Sequence, residues 1–500
     1  MTVAFVVVLL AALHSCDGKL SFASYYGDHM VLQKSPQRAV LWGYAPEGSQ
    51  VTVYLSGTTT QKVSSAPVTE GIWRVSLDPV DAGGPYNVTA LCQNSTHTLT
   101  DVLFGDIWLC GGQSNMHFQT SQIFNASEEL ALSSRYPHVR TFMAAFRMSD
   151  SELTDLMQVE LPWSVPAFDT LRKFSAVCWL FGRHMYDYLK YPIGLVESCW
   201  GGTPVEAWSS SRALKQCGLK LAGDSTKNNN SVLWNAMIHP LLNFSIYGAI
   251  WYQGEANAHY HKDKYNCSFP AMVNDWRMAF HQGSGLQTAV DFPFGFVQLA
   301  TYQENSTDDS FPEIRWHQTA DVGFVPNPRM KNTFMAVAFD LPDKTSPYGT
   351  IHPRDKQDVA HRLMLGARAV AYGEKDVPFL GPFPNQILSS DFIFVSYDQP
   401  IIVLPSKNIF EICCSDTKAT CGPSSSWVPA AIMSWNRTSV QLKPSSCAPP
   451  DVAALRYAWK DWPCEFKACP VYSSSGILPA PPFILKRHTD TTTWKRSSRT

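Results

Sequence analysis

Apolar positions along the chain follow three successive rhythms. Residues 19 to about 100 carry short β-branched and aromatic runs, "SFASYYGDHMVLQ", "AVLWGYAPEGSQVTVYLSG" and "GIWRVSLDPV", broken by glycine, proline and serine. Runs of this kind are strands bounded by turns, and residues 19–100 are expected to form a small β-sandwich. Over 101–373 the pattern changes to continuous apolar runs alternating with stretches of helical spacing. "DVLFGDIWLC", "PIGLVESCW", "IYGAIWYQG", "PFGFVQLA" and "FMAVAFD" read as strands covered on both faces, whereas "SAVCWLFGRHMYDYLKY" and "RDKQDVAHRLMLGARAVAYG" read as helices. Such alternation predicts an α/β domain, a parallel sheet wrapped by helices, with its chemistry at the carboxyl ends of the strands. Between 374 and 485 proline and strand-like runs return, predicting a second β-domain. The polar residues 486–500 are expected to be a flexible tail.

Composition narrows the class. The chain has 500 residues, 45% hydrophobic and 16% charged, with a formal net charge of −2. That is enough for two to four cored domains, and it leaves no basic surplus for nucleic acid. Residues 1–18, "MTVAFVVVLLAALHSCDG", have the apolar length of a secretory signal peptide and fall short of a membrane span. No later stretch is apolar for long enough to span a bilayer. Eight N-x-S/T sequons begin at Asn87, Asn94, Asn125, Asn229, Asn243, Asn266, Asn305 and Asn436, more than chance supplies, and predict a glycoprotein of the secretory pathway. Of 13 cysteines, Cys16 leaves with the signal peptide and the other twelve are expected to pair as disulfides. The late cluster Cys413, Cys414, Cys421, Cys447, Cys464 and Cys469 lacks any C-x-x-C spacing, so no zinc site is expected. No phosphate loop or dinucleotide motif is present, and neither metal nor cofactor is called for. No feature specifies an oligomeric state.

Four segments at strand ends carry chemistry. In "WLCGGQSNM", Ser114 follows Gly111 and Gly112, which permit a sharp turn into a helix. On this stretch alone Ser114 is equally a nucleophile or a helix-capping serine. "SCWGGTPVEAW" places Gly201 and Gly202 after a strand, either as a tight turn or as backbone free to approach a ligand. "WYQGEANAHY" clusters Gln253, Glu255 and Asn257, a polar pocket floor or a solvated loop. In "DLPDKTSPYGTIHPRDKQDVAHRL", His352 lies on a loop before an amphipathic helix and has the right chemistry for a general base near neutral pH. His361, within that helix, reads as a packing or surface residue.

These four blocks, in this order, resemble the SGNH-type esterases and, within them, the sialate O-acetylesterase family. The flanks "DHMVLQKSPQRAVLWGYA" and "LRYAWKDWPCEFKACPVYSSSGILPAPPF" look similar too, so the resemblance covers nearly the whole mature chain. It implies an SGNH-hydrolase-like α/β domain between accessory β domains, releasing acetyl groups from O-acetylated sialic acids without a cofactor, in the lysosome or outside the cell. It implies Ser114 as nucleophile and His352 as base. The oxyanion donors would be the N–H of Ser114, that of Gly201 or Gly202, and the side chain of Gln253 or Asn257. Such enzymes commonly carry an aspartate three residues before the histidine, where this chain has Gly349. Glu255 and Asp343 are the leading candidates for the missing acid, with Asp340 and Asp355 behind them. A backbone carbonyl orienting a serine–histidine dyad is the alternative. Arg354 is the nearest cation for a sialate carboxylate. An esterase of another acetylated sugar and an inactive glycan-binding glycoprotein are the competing functions, the latter disfavoured by the presence of both serine and histidine.

Overall fold

A computed structural model of the chain describes residues 19–57, 61–219, 226–389, 391–406, 408–414, 421, 426–444, 452–486 and 493–495. The expected signal peptide lies outside the described residues. The centre is a mixed sheet built from β1 (Ser95–Gly112), β2 (Val139–Ala144), β3 (Val159–Ser164), β4 (Ile193–Cys199), β5 (Gly248–Tyr252), β6 (Phe294–Gln298) and β7 (Thr333–Val337). Its order is β3-β2-β4-β1-β5-β6-β7. All neighbours run parallel except β3, which pairs antiparallel at the edge. Every residue of β2, β4, β5, β6 and β7 is buried, as in strands covered on both faces.

Helices cover both faces, and the short α1 (Ser114–His117) follows β1 directly. Along β1 the ring of Trp108 meets Phe181 of α2 (Ala176–Leu189), whereas Gly111, on the opposite face by alternation, lies under Trp251 and under Trp276 of α3 (Tyr265–Gly283). A further helix, α4 (Gln357–Val370), packs beside α2. The chain leaves β1 toward β4 on one side and returns to β5 on the other. The crevice above β1 is therefore a switch point, where open α/β sheets bind ligands.

Two departures from the expected layout follow from long-range contacts. Strand β1 spans 18 residues and joins both units: its first half pairs with Gly83–Cys92 of the N-terminal strands, its second with β4 and β5. Position 100 thus falls inside one continuous strand. Strand β2 was hidden in the sequence by Arg140, whose guanidinium is buried on Asp101 and on the carbonyls of His29 and Pro137.

In the C-terminal part, eight strands between Pro384 and Lys495 form one antiparallel sheet. The expected tail is not wholly free, because Thr493–Lys495 pairs with Pro384–Ser389. Disulfides join Cys110 to Cys178, Cys217 to Cys267, Cys413 to Cys421 and Cys464 to Cys469, and Cys414 is also disulfide-bonded. Cys92 and Cys199 are free and buried, which corrects the expectation that all twelve pair. Among the described residues no helix is long and apolar enough to cross a membrane.

Candidate active site

Strand β1 ends at Gly112, whose φ of +136° and close approach to β5 exclude a side chain: a Cβ there would lie 2.2 Å from the carbonyl oxygen of Tyr252. Immediately beyond, the short helix Ser114–His117 begins, with Gln113 and not Ser114 at its cap position. Ser114 is half-buried, and its Oγ stands 2.9 Å from Nε2 of His352, 238 residues away. The structure brings these two together, and the hydroxyl is turned to the imidazole instead of capping the helix.

The other ring nitrogen determines the tautomer. Nδ1 of His352 lies 2.8 Å from the carbonyl oxygen of Tyr348. A carbonyl can only accept, so Nδ1 carries the proton and Nε2 is left with a lone pair toward Ser114. Gly349, at φ +87°, makes the turn that folds Tyr348 back onto the ring. Phe118 lies nearly parallel to the imidazole, at 6.3 Å and 17°. Burial holds His352 below the ordinary histidine range, and Lys356 adds to this, while the bond to Tyr348 opposes it.

None of the four expected acids touches His352. Asp343 is held by Arg354, its oxygens 2.7 and 2.9 Å from Nε and Nη2, and by the backbone N–H of Arg354. Glu255 accepts from Asn115 Nδ2 at 2.6 Å. Asp340 is buried in a two-pronged pair with Arg362, and Asp355 accepts from the N–H of Asp358. Each carboxylate has a closer donor than the imidazole, so the sequence's two leading candidates, Glu255 and Asp343, do not orient the base. The same geometry removes Arg354 as a free cation: its charge is matched by Asp343, and its guanidinium lies 4.5 Å over the ring of Phe124.

Gln253 and Asn257 are also placed differently from expectation. Asn257 Nδ2 donates to Glu206 at 2.8 Å and to Tyr260 O at 3.0 Å. Gln253 Nε2 donates to Thr203 O at 3.1 Å and to Asn257 Oδ1 at 2.8 Å. Both amides have spent their N–H groups on a fully buried scaffold under the loop that carries Gly201 and Gly202, and neither offers a donor to the cavity.

The residue that the sequence reading passed over is Gln113. Its Oε1 accepts from the N–H groups of Gly254, at 3.4 Å, and Ala256, at 3.2 Å. Those two donors fix the amide's orientation, leaving Nε2 without a protein acceptor among the described residues, on a side chain that lines the cavity above Ser114. The N–H groups of Ser114, Gly201 and Gly202 likewise donate to no acceptor among the described residues. Gly201 packs directly against Ser114, a Cβ there lying 3.2 Å from that of the serine.

Beneath the pair runs a buried polar chain. Asn115 Nδ2 bonds Glu255 and also Ile351 O at 2.8 Å, and its Oδ1 accepts from Lys356 Nζ at 2.7 Å. Burial pushes Lys356 down to about 7, with Glu255 opposing, and raises Glu255. This chain ties the helix of Ser114 to the loop of His352. On the other side, Glu197 accepts from His117 Nδ1 at 2.8 Å, from the N–H of Ser175 at 2.8 Å and from Cys199 Sγ at 3.3 Å, separations of hydrogen bonds. Above the serine opens a cavity of about 670 Å³, lined by Gln113, Ser114, Gly202, Asn229, Glu255 and His352 among others. Of the sequon asparagines Asn229 alone lines it, and none of the eight is buried.

A serine activated by a correctly tautomerised histidine, under converging N–H donors, is the equipment of ester hydrolysis. The family described as carbohydrate esterase, sialic acid-specific acetylesterase matches residues 104–352, and the sialate O-acetylesterase C-terminal domain matches 386–487. The fold and site thus define a carboxylic ester hydrolase of the carbohydrate esterase class. A crystal structure of a carbohydrate acetylesterase from Xanthomonas citri superposes with a TM-score of 0.78 at 27% identity, covering 94% of this chain and 99% of that one. The sialate O-acetylesterases of Homo sapiens and Pongo abelii are each 51% identical over 501 residues, covering 95% of this chain and 94% of theirs. That of Mus musculus is 48% identical over 531 residues, at 96% and 97%. The chain belongs to the sialate O-acetylesterase family.

Proposed function

We propose that this protein removes O-acetyl groups from sialic acids through an acetyl-enzyme on Ser114, using a serine–histidine dyad on an SGNH-like sheet. The observation that carries the reading is the 2.9 Å contact between Ser114 Oγ and His352 Nε2 at the floor of an open cavity. Ser114 Oγ attacks the acetyl carbonyl carbon while its proton passes to Nε2. The imidazolium keeps its Nδ1–H on Tyr348 O, which stabilises the charge as the triad acid does elsewhere. The carbonyl oxygen, now an oxyanion, takes N–H donors from Ser114, from Gly201 or Gly202, and from Gln113 Nε2. Collapse of the intermediate breaks the ester C–O bond, and Nε2 returns the proton to the sugar oxygen. Water, deprotonated by the same nitrogen, then releases acetate and restores Ser114.

The disulfides and sequons support a protein of the secretory pathway, lysosomal or secreted, with the strand-rich parts 19–100 and 374–485 as accessory β-domains. Ser114→Ala is expected to abolish acetate release from an O-acetylated N-acetylneuraminic acid and labelling by a fluorophosphonate. Full activity in that variant would end the proposal. Faster turnover of acetylated xylan than of the sialate would move the substrate to another sugar.

A further inference from the structure

A sialate differs from a neutral sugar by its carboxylate, yet the cavity wall holds no lysine or arginine among the described residues. Its titratable members are Glu255, Tyr260 and His352. The nearby cations Arg354 and Lys356 are committed, the first to Asp343 and the second, fully buried, to Asn115. A third cation, Lys227, stands at the rim. Lys227 is half-buried, forms no ion pair among the described residues, and places its Nζ 2.6 Å from Gly201 O and 5.7 Å from the centre of the Trp200 ring. A Cβ on Gly202 would stand 3.6 Å from that ammonium. Gly202, exposed at φ +73°, has no such atom, so a molecule lying against this glycine reaches the ammonium directly. Gly202, Asn228 and Asn229 are cavity residues, and Gly201 abuts Ser114, so the cation flanks the reacting centre.

We propose that Lys227 is the carboxylate-binding residue of this site, with Asn228 and Gly202 beside it, and that it selects acidic over neutral acetylated sugars. The ammonium retains donors after bonding Gly201 O, and a carboxylate at the half-buried rim makes a charge-assisted bond stronger than a neutral one. The inference rests on the esterase reading above. A rival role is also defined: by bonding Gly201 O, Lys227 polarises the peptide whose N–H belongs to Gly202 and so strengthens an oxyanion donor. That role would act on every acetyl ester alike.

The test compares an O-acetylated N-acetylneuraminic acid with its carboxyl methyl ester, by kcat/KM, in the wild type and in Lys227→Gln, Lys227→Glu and Lys227→Arg. The glutamine retains a donor for Gly201 O without the charge. The expected result is that the preference for the free acid falls about tenfold in Lys227→Gln, through KM, falls further in Lys227→Glu, and is held by Lys227→Arg. Added salt is expected to compress the wild-type preference. An unaltered ratio in Lys227→Gln and Lys227→Glu, even with both substrates slowed equally, overturns the proposal. Wild-type protein that hydrolyses neither compound overturns the esterase reading and this subsite with it.

Discussion

Asp343→Asn separates a dyad from a triad. Where a carboxylate orients the catalytic histidine, losing it costs about 10⁴ in turnover, or about 5.5 kcal/mol of barrier. Here Asp343 spends its oxygens on Nε, Nη2 and the N–H of Arg354 and on Thr345, while His352 Nδ1 rests 2.8 Å from Tyr348 O. An asparagine keeps one acceptor oxygen for the guanidinium, and removes the charge and the acceptor at the other position. Arg354 is partly exposed, so solvent screens the pair and the lost charge is worth about 1 kcal/mol, felt in the stability of the loop. Turnover of p-nitrophenyl acetate is therefore expected within about tenfold of wild type, a barrier change below about 1.4 kcal/mol. Steady-state kinetics with a thermal melt of the same preparation measure both quantities. A fall of a thousandfold or more with an unchanged melting curve would refute the reasoning and return Asp343 to the imidazole.

Gln113→Ala should lower kcat by about 10² to 10³ while changing KM little, because one oxyanion donor is worth that much in acyl transfer; a loss seen only in KM would contradict the role. The acid limb of kcat/KM is expected below pH 6.5, since burial first and Lys356 second lower His352 and only the neutral ring can accept the serine proton. Lys356, pushed down to about 7, is cationic across that limb, so Lys356→Met should move it upward; a downward move would contradict the sign. Gly112→Ala forces a β-carbon to within 2.2 Å of Tyr252 O at a positive φ, and thermal melts should show a loss of about 3 kcal/mol or more, or no folded protein.

Much of the sheet was readable in one dimension because its signal is local. Runs such as "PIGLVESC" and "IYGAIWY" are apolar without alternation only if both faces are covered, and β4 and β5 are buried throughout. β2 was hidden because its arginine, besides the nearby carbonyl of Pro137, is satisfied by His29 and Asp101, more than thirty residues away and outside any local window along the chain. The cysteines show the same limit. An even number suggested complete pairing, but Cys92 and Cys199 lie in separate buried surroundings, one beside Ser49 and the other beside Glu197.

By itself, the sequence determined most of the strands and helices, the class of chemistry, and the serine and histidine proposed to carry it, because residue type and periodicity are properties of the chain. Only the tertiary structure decided who partners whom. Asp343, Glu255, Gln253, Asn257 and Arg354 all had suitable chemistry, yet each is taken by a nearer partner, since leaving such a group unpaired when buried costs about 1 to 3 kcal/mol. What that pairing leaves marks out the site: the Nε2 of Gln113, the carbonyl of Tyr348 that holds the imidazole, and the ammonium of Lys227 on Gly201 O, an arrangement that exists only in the folded chain.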